Sequence, residues 1–302
     1  MKKLTVTIGI SAYNEEGNIA KILKSVISQK EKTIQISEIL VYSDGSTDRT
    51  VPTAKSFKDK RIRVVNDKIR RGKAFRLNHI FSVMKGDVLV LFDADTVPVN
   101  SEMLEYICRP FHRRSFIGLA GGRRYSIPTT SLTGTSLANL FHAYDVVRKE
   151  LRNGINIYCF LAGITALSRD FAKALTLPLD SPCDDNFIYL EAKKRGFSLA
   201  YVPEAIVWFS PPQSASDQIS QGSRYLASSS ILSRYFNSTY VKGEFYVPFY
   251  LRLKVFLYQV RHNPIAFLWL KCLAAVCHIQ NFKTQRHVNG LYRNVYSTKR
   301  LT

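Results

Sequence analysis

Asp93 and Asp95 stand two residues apart at the end of the apolar run Val88-Leu-Val-Leu-Phe. Hard oxygen ligands at that spacing suit Mg2+ or Mn2+ bridging to the phosphates of a substrate. Asp also favours turns, so a lone Asp-x-Asp can equally be the solvated turn that ends a strand. A second pair, Asp184-Asp185, opens a helix-like stretch and could cap it or supply a general base. Lys73 follows Gly72 near a helix start, where backbone N–H groups and an ammonium both favour phosphate. The plain alternative is a solvated lysine in the basic run 68–73. Gln221 and Arg224 share a helical face one turn apart, where Arg224 could grip a diphosphate with paired hydrogen bonds.

For these side chains to meet, the strands that carry them must end together. Val88–Phe92, apolar throughout, reads as a strand buried on both faces of a parallel sheet. In such sheets ligands sit in the crevice beyond the carboxyl ends of the strands. Residues 4–12 read as a first strand. Asn18 is a candidate cap for a helix whose stripe is Ile19, Ile22, Leu23, Val26 and Ile27. A strand over 36–42, a helix, a strand over 62–66 and a helix over 72–84 follow. That alternation predicts a doubly wound α/β domain with right-handed crossovers. Further on, the pattern predicts helices near 101–113, 133–152 and 184–195, and strands near 117–127, 158–167 and 198–209. No repeat or low-complexity tract interrupts it.

Composition narrows the partners. The 302 residues are 46% hydrophobic and carry a formal charge of +20, so the chain is globular and its partner is anionic: nucleic acid, an anionic membrane or a phosphorylated substrate. Five cysteines without a Cys-x-x-Cys pair suggest reduced structural thiols in a cytosolic setting. A strand-like segment directly after Met1-Lys2-Lys3 leaves no secretory signal expected. Between Phe245 and Thr302 there are nine Lys/Arg and no Asp or Glu. Within that stretch, Phe249, Leu253, Phe256, Leu257 and Val260 share a helical face beside Arg252, Lys254 and Arg261, and the apolar run 264–279 is interrupted by Lys271. The run is too short to span a bilayer, but apolar-plus-basic helices lie in membrane interfaces. Ordinary helices packed on the domain with a basic outer surface are the alternative. The expected division is residues 1–240 and a basic helical extension, 241–302.

The motifs, in order, resemble family 2 glycosyltransferases of the GT-A fold. Ser11-Ala-Tyr-Asn-Glu-Glu16, Asp44-Gly-Ser-Thr-Asp48, Gly72-Lys73-Ala74 with Asn78, and Asp93-Ala-Asp95 make up the first half of the match. Gly163-Ile-Thr-Ala-Leu-Ser-Arg169, Asp184-Asp185 twelve residues before Gly196-Phe197, and Ala200-Tyr-Val-Pro-Glu-Ala205 continue it. Gln221-Gly-Ser-Arg224-Tyr225 is similar to the Gln-x-x-Arg-Trp motif of the family's polysaccharide synthases, with Tyr where they have Trp. The resemblance covers residues 4–230. It implies that Tyr13, Glu15 and Asp44 hold the nucleotide, that Asp93 contacts the ribose or ligands indirectly, and that Asp95 binds Mg2+ or Mn2+ on the diphosphate. It also implies that Asp185 is the general base.

The expected activity is therefore inverting, metal-dependent transfer from a nucleotide-sugar, above all a UDP-sugar, to a glycan or lipid-linked acceptor, forming a β-linkage. The expected place is the cytoplasmic face of a membrane, with no nucleic acid as partner. The +20 charge keeps a nucleic-acid-binding protein, or a non-catalytic membrane-surface protein on the same fold, as alternatives. A nucleotidyltransferase would want a Gly-rich loop where this chain has Ala12-Tyr-Asn-Glu-Glu16.

Overall fold

The computed structural model describes residues 2–113, 116–161, 163–180, 183–284 and 298–299. Its centre is an eight-stranded sheet built from β1 (Leu4–Ala12), β2 (Ile34–Asp44), β3 (Ile62–Asp67), β4 (Val88–Asp93), β5 (Thr96–Pro98), β6 (Ile117–Ser126), β7 (Ile164–Ser168) and β8 (Ser198–Phe209), in the order β3-β2-β1-β4-β7-β6-β8-β5. The chain winds outward from β1 to β3, then returns to place β4 on the other side of β1. The crevice at that reversal is where an open α/β sheet binds its ligand. Strand register brings the chemistry to one edge. Ser11 lies opposite Asp93 and Ala12 opposite Ser43, so Asp44 and the Asp93-Ala-Asp95 turn leave the sheet at the same level.

Side-chain alternation supplies both faces with a core. Val6, Ile8, Ile10, Val90 and Phe92 point to one side, onto the buried stripe Ile19, Ile22, Leu23 and Val26 of α1 (Ile19–Ile27) and onto α4 (Met103–Arg113). Leu40, Tyr42, Leu89 and Leu91 point to the other, onto α3 (Lys73–Val83), α7 (Arg169–Ala174) and α8 (Asp184–Lys194). Fully burying each such Leu, Ile or Val contributes about 1.5–3 kcal/mol. The edge of the sheet that carries the carboxylates is therefore anchored in rigid structure. A short α2 (Thr50–Lys55) links β2 to β3.

The fold departs from the expected pattern in three ways. The predicted strand 158–167 is a 3-10 turn at Ile157–Phe160, and the strand is confined to Ile164–Ser168, antiparallel to both β4 and β6. The predicted helix 133–152 is two helices, α5 (Leu132–Ala143) and α6 (Asp145–Glu150), parted at Tyr144 and followed by Arg152 and Asn153 at positive φ. Asn18 precedes α1 but makes no capping bond; its amide is drawn into tertiary contacts described below.

After β8 come α9 (Ala215–Leu232), α10 (Ser238–Phe245), α11 (Phe249–His262) and α12 (Pro264–Thr284). The expected boundary at 240/241 thus falls inside α10. Leu251 and Val255 of α11 share an apolar cluster with Ala143, Val147 and Leu151 of the preceding domain. Glu244, 5% exposed, accepts hydrogen bonds from Arg152 (2.8 Å), Lys193 (2.6 Å) and Tyr189 (2.7 Å). Against α9, α12 comes so close that a Cβ on Gly222 would stand 2.9 Å from the Cys277 sulfur, which accounts for the glycine in the Gln221-Gly-Ser sequence. No described helix is long and apolar enough to cross a membrane.

Candidate active site

At the carboxyl edge of the sheet opens a cleft of about 260 Å3. Tyr13, Glu15, Asp44, Lys73, Asp93 and Asp95 line one part of it, and Asp184, Asp185, Gln221 and Tyr225 line another. Thus Tyr13, Glu15, Asp44, Lys73, Asp93, Asp95, Asp184, Asp185 and Gln221, all singled out above, meet in one cavity; the side chain of Arg224 lies outside the described residues. Asn78 does not join them: its side-chain amide donates to the Leu177 carbonyl and accepts from the Leu177 N–H, both at 2.8 Å, bracing a loop.

Asp44 is occupied by its own chain. One oxygen accepts from the Arg71 N–H (2.8 Å) and Arg76 Nε (2.9 Å), the other from the Gly72 N–H (2.9 Å). Arg76 is wholly buried and also pairs with Asp67 and with the Ile69 carbonyl. The carboxylate therefore shapes the 69–73 loop first, and at most one lone-pair site is left for a ligand. Above it, the Arg70 guanidinium lies 4.0 Å from the centroid of the Tyr13 ring, a cation–π contact on the cleft wall.

Lys73 stands between two acids. Its ammonium is 2.6 Å from Asp93 Oδ1 and 2.8 Å from Asp184 Oδ2. Burial disfavours its charge, but Asp184, Asp93 and Asp185 outweigh that and raise its pKa well above the ordinary value. Lys73 thus ties β4 to the first turn of α8, a contact distinct from the phosphate contact expected of it. Asp93 is driven up by burial and brought back below its usual range by the Lys73 ammonium. Asp95 is raised, by burial first and by Asp93 second. Gly163 makes room here: its φ is +65°, and a Cβ would stand 3.0 Å from Asp93 Oδ2.

Asp93 and Asp95 make a fit for a divalent cation that relies on its substrate. Among the described residues no group of three or more His, Cys, Asp or Glu converges. Two close carboxylates in a partly desolvated turn, one held with raised pKa by the other, are what Mg2+ or Mn2+ takes when phosphates and water complete its shell.

Asp185 completes the cleft. It and Asp184 lie in the first turn of α8, behind Cys183, which holds the N-cap position without a side-chain cap bond among the described residues. The N-cap position itself is thus not theirs, while both acids face the positive end of the helix. The Asp185 carboxyl is pushed up to about 8, by burial first and the Asp184 charge second, with Lys73 opposing. A carboxylate held there can take a proton near neutrality. Next to it, Asn186 is 4% exposed and lines the cleft, and its Oδ1 has no hydrogen-bond partner among the described residues. Sequence reasoning did not single out Asn186, Arg70 or Lys299, all in the wall of the cleft.

Residues 7–175 match the family model described as glycosyl transferase family 2. The chain belongs to that family. Among curated relatives, this family 2 chain is 29% identical over 123 residues to a beta-monoglucosyldiacylglycerol synthase of Nostoc sp., covering 39% of this chain and 26% of the relative. It is 31% identical over 102 residues to a UDP-Glc:alpha-D-GlcNAc-diphosphoundecaprenol beta-1,3-glucosyltransferase of Escherichia coli, covering 34% and 39%. The chain therefore spans between a quarter and two-fifths of the length of these relatives. Among solved structures, the family 2 chain superimposes on a mannosyltransferase from Pyrobaculum calidifontis, in complex with GDP-Man and Mn2+, with a TM-score of 0.66 at 15% identity, covering 93% of this chain and 88% of that one. For glucosyl-3-phosphoglycerate synthase of Mycobacterium tuberculosis, in complex with Mn2+, UDP and phosphoglyceric acid, the values are 0.55, 18%, 76% and 78%. These likenesses bear out the expected GT-A fold.

Proposed function

We propose that this chain is an inverting, metal-dependent glycosyltransferase that moves a sugar from a nucleotide-sugar, a UDP-sugar first among them, to a glycan or lipid-linked acceptor. The observation that carries the reading is the pairing of two acidic groups across one cleft: Asp93-Ala-Asp95 on one wall and Asp185, poised at about 8, on the other. Tyr13, Glu15 and the Asp44-shaped loop hold the nucleotide end of the donor. Asp95, with Asp93 beside it, would hold Mg2+ or Mn2+, which offsets the charge of the departing diphosphate. Asp185 takes the proton of the acceptor hydroxyl. The freed oxygen attacks the anomeric carbon as the bond to the diphosphate breaks, and the diphosphate leaves with the electron pair. Attack from the opposite face inverts that carbon through an oxocarbenium-like transition state, so an α-linked donor yields a β-linkage.

Lys73 acts in this scheme as a spacer. It keeps Asp184 and Asp93 paired, so that Asp185 is the carboxyl left to titrate. Gln221 and Tyr225, on one face of α9, line the cleft, and Arg224 of the same motif would grip the diphosphate. Tyr in place of the synthases' Trp favours single transfers or short oligomers over long polymers. A screen of UDP- and GDP-sugars with Mn2+, read as release of the nucleoside diphosphate, tests the reading. One donor should be turned over, and turnover of none across the panel overturns it.

We further propose that the protein works at the cytoplasmic face of an anionic membrane, with 241–302 as the contacting part. Phe249, Leu253, Phe256 and Leu257 of α11, with Ile265 and Leu268 of α12, are exposed, and Arg252, Lys254, Arg261 and Lys271 are exposed among them. Each basic side chain near such a surface is worth about 1 kcal/mol, and the apolar side chains add burial that salt does not screen. Vesicles rich in phosphatidylglycerol should therefore capture the protein at low salt and retain part of it at high salt. Phe256→Ser with Leu257→Ser, at exposed positions, should abolish the salt-resistant part. Indifference to the vesicles at low salt sinks the membrane proposal and leaves the transferase standing.

A further inference from the structure

One wall of the donor cleft comes from a part of the chain remote from every family motif. Thr298 and Lys299 line the cleft beside Tyr13 and Glu15. Thr298 is 5% exposed, and its carbonyl accepts from Asn18 Nδ2 at 3.2 Å. The same Asn18 amide donates to Glu15 Oε2 at 2.9 Å. The Lys299 ammonium donates to the Tyr13 carbonyl at 3.2 Å and is ion-paired with the other Glu15 oxygen, Oε1. Asn18 and Glu15, both buried, thus form a seat that fixes residues 298 and 299 at the mouth of the nucleotide site.

The seat is chemically lopsided. Glu15 is pushed up to about 7 by burial, then by Asp95, and the lysine works against both. The seat sets one carboxylate against the Lys299 ammonium, where a diphosphate would set several phosphate oxygens. Lys73, the cation that the sequence motif offers to phosphate, is held between Asp93 and Asp184. Arg70 is stacked on Tyr13 and stands 4.0 Å from Asp44. Lys299 carries a charge a quarter exposed to the cleft, close enough to act on Glu15, Asp93 and Asp95 alike. An incoming diphosphate brings more than one negative charge to that spot and is a stronger partner than a single carboxylate.

We propose that Lys299 is a donor-binding residue whose ammonium leaves Glu15 to hold the diphosphate of the nucleotide-sugar. The proposal rests on the donor-site reading above. It assigns to residues 298–299 recognition of the phosphates, with the nucleoside held elsewhere.

The test is calorimetric titration of the full chain with UDP and with GDP, each with Mn2+, and with uridine and guanosine. Wild type is compared with Lys299→Met, which keeps the stem, and Lys299→Arg, which keeps the charge. For whichever diphosphate the wild type binds, Lys299→Met should weaken binding roughly 10- to 100-fold, the worth of a hydrogen bond to a charged group. Lys299→Arg should restore most of it, and binding of the matching nucleoside should not change. An equal loss for nucleoside and diphosphate would mean that 298–299 only packs the site, and overturns the proposal. So does unchanged or tighter diphosphate binding in Lys299→Met, which would make the lysine a plug. If the wild type binds neither diphosphate, the donor-site reading falls, and this proposal with it.

Discussion

Asp185→Asn should bind the donor as the wild type does and transfer sugar roughly 10²–10⁴-fold more slowly, the usual worth of a positioned general base. The swap keeps shape and removes the group that accepts the proton. Its effect is separable from folding because the sign of the pH linkage is opposite. The Asp185 carboxyl is raised to about 8 in the folded state, against an ordinary value of 3.8. Its contribution to stability is therefore fully present below about pH 4 and is lost as pH rises through 8. At pH 8 and above the wild type bears a buried charge that asparagine lacks, so the variant should melt no lower than the wild type there. Wild-type turnover should climb with pH from 6 upward, with an inflection at or below 8, since a bound cation favours the ionised carboxyl. The variant's residual rate should lose that inflection. A variant that melts early yet transfers normally per folded molecule would remove Asp185 from the chemistry.

The second large effect is expected at Asp95. Asp95→Ala should lower turnover on the order of 10³-fold or more and weaken Mn2+-dependent UDP binding, because the diphosphate loses the charge that offsets it. EDTA should reproduce the loss in the wild type, and added Mn2+ should reverse it there but not in the variant. The fold should survive, since no ion pair among the described residues engages Asp95 and the alanine removes a carboxyl whose charge is already disfavoured. Asp93→Ala is the less informative swap, because it also breaks the 2.6 Å pair with Lys73. Full activity in EDTA would remove the metal from the mechanism.

What could be read from the sequence was local. Val88–Asp93 is apolar without interruption and then acidic, so both the buried strand and the turn at its end were visible, and parallel register carried Asp44 and Asp93 to one level without further information. The antiparallel direction and late start of β7 were not visible. The run 158–167 is largely apolar, and periodicity cannot tell a buried 3-10 turn from a strand. What divides them is the positive φ at Gly163, demanded by the nearness of Asp93 in the fold. Lys73 was found but its partners were not, because Asp93 and Asp184 reach it only after β4 and α8 pack. Asn18 looked like a cap but makes no cap bond, and its amide donates to Glu15, three residues back, and to Thr298, almost the whole length of the chain away. Lys299, without a motif around it, had no local signal at all.

Glu244 bears on how far the protein can be taken apart. Its carboxylate, deep between α10 and α8, is shared by Arg152, Lys193 and the fully buried Tyr189 hydroxyl. A knife drawn at the compositional border, near residue 240, would sever α10 and strand that hydroxyl without its acceptor, a loss of roughly 1–3 kcal/mol before any apolar surface is counted. The basic helices are thus a keystone rather than a detachable foot. Swapping the same helices onto another enzyme would carry away half of a joint, whereas exchanging outward-facing side chains one by one leaves the joint whole.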